Sequence, residues 1–596
     1  MKRSFVLLNC FLLVSILVFP EISQAQTSGY HTPDQVLSWI KQLEDRHPGV
    51  LTSTQIASSP GERPIYLIRI GKDSESKKQV FPSIFVGANL EGNRPLTTEG
   101  AIKLSETILS DPAHYESLNW YILPLGNPDA AAKFFRSPLI EDSRNDFPCN
   151  DDLDEQTDED GVNDLNGDGW ITKMRVIHPD GEWIISDKDP RLMQKADPKK
   201  GEQGVYKIYS EGTDDDDDGK YNEDGPGGTN VGINFPQLFK HYTTDGGMFP
   251  GSTPESYAIM KFVFEHPEIA MIVSLGSTNW CYTPPKGGRK GEADLSKIKL
   301  SERQAREFNL DQNKTYTLTE LVEIFKAENP QEYIDESMIA GFLGLGAALN
   351  PQEGDLLFYE KYAKAYKSYL KEQGVDGERI DPMPASDGSM ELWGYFQVGV
   401  PVFSMDLWGI SKQDSGTVKL EEAMLAHLDS QPGKKGFVEW ESFDHPTLGS
   451  VEIGGFVPYL GTTPPYDWAD SLLSLHIPWI LNLTGELPDL HIYEIQTNAK
   501  GNGIYQLDIW IENRAFIPFP TDMGSRNMQP APAVLSLEGE QIEFISGYRR
   551  TPISRVAGNS RVKTTLIIQM EKPGNITLKL ESLTAGHDLQ TIKIGG

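Results

Sequence analysis

Four continuous apolar runs limit the folds open to this chain. Uninterrupted runs of this length are typical of strands that are buried on both faces of a sheet. Such strands need helices on both sides, so the runs predict an α/β domain with a mixed, largely buried sheet flanked by helices. The runs are VFPSIFVGANL (80–90), LNWYILPLGNPD (118–129), IAMIVSLG (269–276) and VPVFSMDLW (400–408).

Two amphipathic segments supply helices between these strands. TTEGAIKLSETILS (97–110) and PESYAIMKFVFEHP (254–267) carry apolar residues three and four positions apart, with acidic residues early in each segment. Both features are typical of helices that pack one face on a core. The alternation of strands and helices extends from residue 30 to about 290.

The pattern changes near residue 489. GIYQLDIWIEN (503–513) and VKTTLIIQM (562–570) alternate apolar and polar residues and have no helical period. Short alternating segments separated by turn residues predict a small β-sandwich of the immunoglobulin-like kind. The predicted organisation is a signal peptide (1–25), an α/β domain (26–488) and a C-terminal β-sandwich (489–596).

The N-terminus predicts export. Lys2 and Arg3 precede an apolar run over residues 5–19, and Ser23-Gln24-Ala25 offers a cleavage signal between small residues. The run is too short to span a bilayer, which needs about 20 apolar residues. The sequence therefore predicts a periplasmic or secreted protein without a membrane span, with a lipid anchor at Cys10 as the alternative. Export also permits a disulfide between Cys149 and Cys281, which the sequence does not settle.

The formal net charge of −32 argues against nucleic-acid partners and anionic membranes, because both require basic patches. Much of this charge lies in two acidic inserts, at 150–169 and 211–228. Each insert repeats the first half of a calcium loop, in which alternating oxygen ligands precede a glycine. The candidate calcium ligands are Asp164, Asn166 and Asp168, and Asp214, Asp216 and Asp218.

The inserts depart from the full calcium template. Arg175 and Gly225 occupy the twelfth loop positions, where the template has glutamate. Five consecutive aspartates would repel one another in an ordered loop without a cation, which favours calcium binding. A solvated acidic loop is the alternative.

A set of motifs in fixed order resembles the zinc carboxypeptidases of the carboxypeptidase A type, particularly large secreted bacterial members with a C-terminal β domain. The resemblance covers roughly residues 30 to 460. The motifs are VGANLEGNRPLTTEG, ILPLGNPDAAAKFF, SRNDFPCNDDLDEQTDEDGVNDLNGDGWITKMRV, EDGPGGTNVGINFP, FPGSTPESYAIMKF, GYFQVGVPVFSMDLW and HPTLGSVEIGG.

The resemblance implies a zinc ion held by a His-x-x-Glu pair and a later histidine, with an open position for the attacking water. In this chain Glu91 stands at the first histidine position and Arg94 at the glutamate position, and Gly276 stands at the later histidine position. An arginine stays protonated and cannot ligate a metal, and glycine has no side chain. The resemblance thus implies zinc while the substituted residues argue against it, and we expect Glu91 and Arg94 to pair with each other.

The other family positions are altered as well. Gly232 and Ile233 replace an Asn-Arg pair that grips the substrate carboxylate in the family. Asp406 stands at the position of the general-base glutamate and is one methylene shorter. Arg144 aligns with an arginine that polarises the scissile carbonyl, with a surface salt bridge as the alternative explanation.

One other His-x-x-Glu occurs in the chain, at His491 and Glu494 in the β tail. It is expected to be a strand with one exposed histidine rather than a metal site.

Three functions are consistent with these features. The first is an exported, catalytically impaired carboxypeptidase-like protein that binds peptide or glycopeptide ligands. The second is an active metallocarboxypeptidase that hydrolyses C-terminal residues with an altered metal site formed by Glu91, Asp406 and an unidentified ligand. The third is a calcium-stabilised surface or adhesion module. The sequence does not give the oligomeric state.

Overall fold

The computed structural model describes most of the chain. The predicted signal peptide lies outside the described residues, as do Asp216 and Asp218. No helix among the described residues has the length and apolar character needed to cross a membrane. The described ranges are 29–71, 80–149, 161–214, 219, 221, 228–287, 295–300, 302–328, 334–343, 349–375, 382–410, 419–431 and 436–595.

The described residues form helices and strands, which are numbered in chain order. The helices are α1 (Pro33–Arg46), α2 (Pro95–Ser110), α3 (Pro128–Lys133), α4 (Pro254–Glu265), α5 (Glu302–Glu307), α6 (Leu318–Glu328), α7 (Glu336–Phe342), α8 (Glu353–Glu372), α9 (Met390–Trp393), α10 (Leu420–Asp429), α11 (Ala469–Leu483) and α12 (Asp522–Asn527). The strands are β1 (Leu51–Ser58), β2 (Pro64–Ile70), β3 (Ser83–Ala88), β4 (Asn119–Leu123), β5 (Lys173–Ile177), β6 (Trp183–Ile185), β7 (Met193–Lys195), β8 (Tyr206–Ser210), β9 (Ile269–Leu275), β10 (Ile298–Lys299), β11 (Thr315–Tyr316), β12 (Val402–Met405), β13 (Phe437–His445), β14 (Gly449–Phe456), β15 (Leu490–Gly501), β16 (Ile504–Asn513), β17 (Ala533–Gly539), β18 (Ile542–Ser546), β19 (Arg550–Ile553), β20 (Ser560–Met570), β21 (Gly574–Glu581) and β22 (His587–Ile594).

The main sheet has the strand order β1-β2-β4-β3-β9-β12. β4, β3, β9 and β12 are mutually parallel. β2 pairs antiparallel with β4, and β1 pairs antiparallel with β2. Every residue of these four parallel strands is buried, as the apolar runs predict. The predicted mixed α/β sheet and both predicted helices, α2 and α4, are confirmed.

A second six-stranded sheet, of order β13-β14-β5-β8-β6-β7, stands beside the first and was not predicted. In this sheet β5, just after the first acidic insert, pairs with β14, and Arg175 binds Glu452 at 2.8 Å across 277 positions. The guanidinium of Arg175 also lies 4.4 Å from the ring centroid of Trp440. Short strands that pair over such distances leave no local signal in the sequence.

The C-terminal strands form two four-stranded sheets, β15-β16-β20-β18 and β19-β17-β21-β22, with a shared core between them. Alternate residues of β20 and β21 point into this core, which is the burial pattern of a sandwich. The core begins at Leu490 and ends at Ile594 and is separate from the core of the α/β part. The predicted β-sandwich is confirmed, and its immunoglobulin-like topology stays a prediction.

A buried carboxylate joins the two parts. Asp355, at the start of α8, accepts hydrogen bonds from the backbone nitrogens of Asp522 (2.7 Å) and Met523 (3.0 Å) at the start of α12. The Tyr395 hydroxyl donates to the same carboxylate at 2.8 Å. This side chain therefore satisfies donors at a helix start that would otherwise be buried without partners.

Candidate functional site

The register of the main sheet brings the predicted site residues to one edge. Leu275, the last residue of β9, pairs with Ala88 of β3 on one side and Met405 of β12 on the other. The segments that follow these three strands therefore begin next to one another at the carboxyl edge. Ligand sites of open α/β sheets lie in this place.

Glu91 occupies the centre of this edge. Its Oε1 accepts hydrogen bonds from the Ser277 hydroxyl at 2.8 Å and from the Ser277 backbone nitrogen at 3.3 Å. A β-carbon built on Gly276 would lie 3.1 Å from Glu91 Oε2, and one built on Gly232 would lie 3.0 Å from Glu91 Cγ. Glu91 thus packs against two glycines, and these stand at two of the altered family positions. A histidine at position 276 would need the space that the Glu91 carboxylate fills.

Arg94 does not pair with Glu91, and the expected ion pair is wrong for the described part of the chain. The Arg94 backbone nitrogen donates to Asn89 Oδ1 at 3.0 Å, where the turn before α2 places it. Its guanidinium Nε is buried and has no hydrogen-bond partner among the described residues. The described carboxylates likewise form no ion pair with it, so a cationic group stands at this edge without a described counter-ion.

Asp406 follows β12 and is buried, with 7% of its surface exposed. Its Oδ1 accepts a hydrogen bond from the Trp408 backbone nitrogen at 3.2 Å, which fixes the carboxylate at the turn after the strand. It lines the same cavity as Arg94 and Ser277. The structure therefore brings the predicted general-base position to the predicted site.

Arg144 is held by a neighbouring acid. Its Nε donates to Asp142 at 3.2 Å, and Lys133 binds the same carboxylate at 2.7 Å. The Lys133 ammonium and the Arg144 guanidinium outweigh burial and hold the pKa of Asp142 below its usual value. Arg144 is not among the residues that line the site cavity, and its role in polarising a scissile carbonyl stays a prediction.

Ile233 stands at the second position of the family's Asn-Arg pair, and its backbone packs closely against another segment. The carbonyl of Ile233 lies against Gly388, where an added β-carbon would approach it to 2.1 Å. Gly388 has a φ of +79°, a conformation that favours glycine. Ile233 therefore contributes a wall to this region and no charge.

The residues at this edge do not fit a three-ligand zinc site. Glu91 supplies one carboxylate, Gly276 supplies nothing, and the Arg94 guanidinium has no lone pair to donate. No group of three or more histidine, cysteine, aspartate or glutamate side chains with metal-binding geometry occurs among the described residues. The resident metal of the family thus has no matching ligand set at these positions.

In the second His-x-x-Glu the histidine is buried, so the predicted exposure of His491 is wrong. His491 Nε2 lies 2.9 Å from Glu512 and accepts from Arg514 Nε at 3.0 Å. Glu494 is exposed two strand positions past the buried Ile492. The two side chains therefore lie in different environments, since His491 is buried and Glu494 is exposed.

The first acidic loop satisfies its own oxygens. Asp164 accepts from the backbone nitrogens of Gly167 (2.8 Å), Asp168 (3.2 Å) and Gly169 (2.8 Å), and Asn166 Nδ2 donates to Asp168 at 3.0 Å. The buried Glu211 accepts from the backbone nitrogen and hydroxyl of Thr172, both at 2.9 Å.

In the second loop, Asp214 accepts from the backbone nitrogen of Gly219 at 3.0 Å. Asp216 and Asp218 lie outside the described residues. Asp214 Oδ1 is buried and has no hydrogen-bond partner among the described residues, and calcium binding stays a prediction.

Sequence reasoning missed Glu391, a carboxylate near the site. It lies on the short helix α9 with 7% of its surface exposed and accepts from the Ser274 hydroxyl at 2.6 Å. Burial raises its pKa, and the negative charge of Glu91 acts in the same direction. No motif marks this residue, since its burial arises from the contact of α9 with β9.

No disulfide joins Cys149 to Cys281. Cys281 is buried beside β12, and burial raises the pKa of its thiol to about 12. Cys149 is partly exposed.

A cavity of about 560 Å³ opens at the carboxyl edge of the main sheet. Its lining includes Arg94, Ser277 and Asp406 from the edge of the main sheet and Lys173 from β5 of the second sheet. The rest of its wall is mostly apolar and includes Trp408, Ile410, Met424, Phe456, Val457 and Leu460. This volume lies within the roughly 300–1,000 Å³ that small-molecule sites span.

Comparison with known proteins finds similarity over part of the chain. The zinc carboxypeptidase family model matches residues 36–163, which include Glu91, Arg94 and Arg144. Human carboxypeptidase B2 is 32% identical over 65 residues, covering 11% of this chain and 15% of that protein. Human mast cell carboxypeptidase A is 24% identical over 110 residues, covering 17% and 25%. The matched segments thus span about a quarter or less of these two relatives.

Bovine thrombin-activatable fibrinolysis inhibitor, solved in complex with tick carboxypeptidase inhibitor, is 10% identical with a TM-score of 0.34, covering 76% of this chain and 96% of that one. Residues 489–593 match a second family, described as a domain of unknown function (DUF8731).

Proposed function

Since the chain is carboxypeptidase-like, we propose that it is a carboxypeptidase-shaped binding protein that has lost zinc-dependent hydrolysis. Its ligands are peptides or glycopeptides, held in the cavity at the carboxyl edge of the main sheet. The family's frame of strands and helices positions the cavity walls, while the reacting centre is replaced by packing contacts.

One observation carries this proposal: Glu91 fills the space between Gly232 and Gly276 and is fixed by Ser277. A zinc centre needs three ligands around an open position. Here one carboxylate and two glycines form a close-packed cluster. The substitutions fit one another sterically, because a larger residue at either glycine would displace Glu91.

The alternative of an active metallocarboxypeptidase needs ligands besides Glu91 and Asp406. The described residues offer no third histidine, cysteine or acidic group in suitable geometry. The alternative of a calcium-dependent adhesion module rests on the acidic inserts alone. Neither alternative has an observation in its favour comparable to the Glu91 cluster.

Metal analysis tests the proposal. The purified protein is dialysed against trace zinc and excess calcium, and bound metals are measured by mass spectrometry. We expect no stoichiometric zinc and no release of C-terminal residues from peptides. Near-stoichiometric zinc that is lost on Glu91→Ala would contradict the proposal, and calcium is quantified in the same samples.

Restoring the family's ligands sharpens this test. A variant that combines Glu91→His, Arg94→Glu and Gly276→His should bind zinc with near-unit stoichiometry, because the strand register already places the three positions close together. The matched control keeps the first two changes and carries Gly287→His in place of Gly276→His, because Gly287 has open space around it. Equal zinc in both variants would show that the edge is not the family's metal position.

A further inference from the structure

The cavity at the sheet edge combines an apolar wall with two cationic groups. Arg94 contributes a guanidinium whose Nε is buried and has no hydrogen-bond partner within the described ranges. A buried donor left unsatisfied costs on the order of 1–3 kcal/mol, and more when it is charged. Glu91 does not offset the cost of the unsatisfied Arg94 donor, because its carboxylate accepts hydrogen bonds from Ser277 instead.

The acidic groups of the cavity are held by protein donors. Glu141 accepts from Asn93 Nδ2 (3.0 Å), from the Thr462 hydroxyl (3.0 Å) and from the Tyr459 backbone nitrogen (2.8 Å). Asp406 accepts from the Trp408 backbone nitrogen. Their positions are therefore fixed by bonds other than one to Arg94.

Lys173 is the second cation of the lining, and it is exposed at the mouth of the cavity. Its ammonium forms no ion pair within 4.0 Å with any described carboxylate. The two cations thus line one cavity together with apolar side chains.

From these contacts we propose that Arg94 is the anion-recognition residue of the cavity and that the ligand is a carboxylate joined to an apolar body. The guanidinium fork matches a carboxylate in two parallel hydrogen bonds. The apolar body lies against Trp408, Met424 and Leu460, while Lys173 contributes a weaker attraction at the mouth. This inference rests on the proposed function, since it places a ligand anion near the position of the family's metal.

The carboxylate has two sources, the free C-terminus of a peptide and a free aromatic or aliphatic acid. Binding is measured by calorimetry on the full chain with four probes. N-acetyl-phenylalanine and its amide represent a peptide end, and phenylpropanoic acid and its amide represent a free acid. We expect at least one acid to bind and its amide to bind at least tenfold more weakly.

Arg94→Gln tests the residue itself, with Arg549→Gln as the control because Arg549 is exposed in the C-terminal sheet region. Arg94→Gln should weaken acid binding about tenfold to a hundredfold and leave amide binding unchanged. Met424→Trp, which fills the cavity, should weaken acid and amide together. Thermal unfolding of each variant confirms that it is folded.

The outcomes separate this inference from the proposed function. Undiminished acid binding in Arg94→Gln, equal affinity for acid and amide, or no binding of any probe overturns the role of Arg94 as an anion site. Zinc-dependent hydrolysis would overturn the proposed function whatever Arg94 does. Arg94→Lys should recover only part of the affinity, because an ammonium lacks the planar fork.

Discussion

Gly276→Ala tests whether Glu91 fills the altered site. The new methyl group would lie 3.1 Å from Glu91 Oε2 and 3.3 Å from Oε1, so the carboxylate must withdraw by a few tenths of an ångström. Withdrawal lengthens its hydrogen bonds to Ser277, and such bonds to charged groups contribute about 1.5–3 kcal/mol each. Because Glu91 is only partly buried, we expect Gly276→Ala to lower the local free energy of unfolding by about 1–2 kcal/mol.

The decisive comparison is the same change in a Glu91→Ala background. The carboxylate is then absent, and the remaining effect of Gly276→Ala is the reduced freedom of the unfolded chain, which stabilises by about 0.4–1 kcal/mol at a compatible position. The coupling energy between the two changes should therefore be about 1.5–3 kcal/mol.

Hydrogen exchange of peptides covering residues 269–281 measures this local free energy, since a chain with two cores need not unfold in one step. Gly287→Ala is the control, because its β-carbon would meet nothing within 4 Å. The same cost in both backgrounds, or a coupling energy near zero, would refute the claim that Glu91 and Gly276 share one space.

Three further predictions follow from buried groups. Burial raises the pKa of Glu255 to about 7, from 4.5 in the unfolded chain. The folded state therefore holds a proton that the unfolded state releases, and the free energy of unfolding falls by on the order of 3 kcal/mol as pH rises from about 4.5 to 7. Glu255→Gln should remove this pH dependence in urea titrations at several pH values. Asp355→Ala should leave the backbone donors of Asp522 and Met523 unsatisfied and destabilise α12 by about 2–3 kcal/mol, measured by hydrogen exchange. Glu353→Ala, on the exposed side of α8, should have no such effect. Equal effects of the two changes would contradict the stabilisation of α12 by Asp355. A thiol reagent at pH 8 should modify Cys149 in the folded protein and leave Cys281 unmodified until the protein unfolds; rapid double labelling would refute the burial of Cys281.

The main sheet was predictable because its strands are buried on both faces. Burial of this kind leaves continuous apolar runs in the sequence, and the runs around Phe85, Ile122 and Ile272 mark β3, β4 and β9 correctly. The family resemblance assigned Glu91, Gly276 and Asp406 to one site, and the parallel strands that precede them end at the same edge. Periodicity and strand ends are local properties.

The contacts within the site were not predictable in the same way. Glu91 and Arg94 are three residues apart and opposite in charge, which favours an ion pair on electrostatic grounds. The structure instead directs Glu91 towards Ser277, a residue 186 positions away. The buried Glu391 and the pairing of β5 with β14 have the same origin, since each depends on a long-range contact that no local pattern records.

The pairing of β5 with β14 has a consequence for biogenesis. The lining of the cavity includes Thr172 and Lys173 from one segment and Val457 and Leu460 from another, and these two segments are synthesised far apart in time. At about 5–20 residues per second, roughly 15–60 s separate their emergence from the ribosome. Until residues 449–460 are synthesised, the apolar residues of the earlier part of the lining stay exposed to solvent. A nascent chain in this interval is expected to bind chaperones that hold unfolded chains.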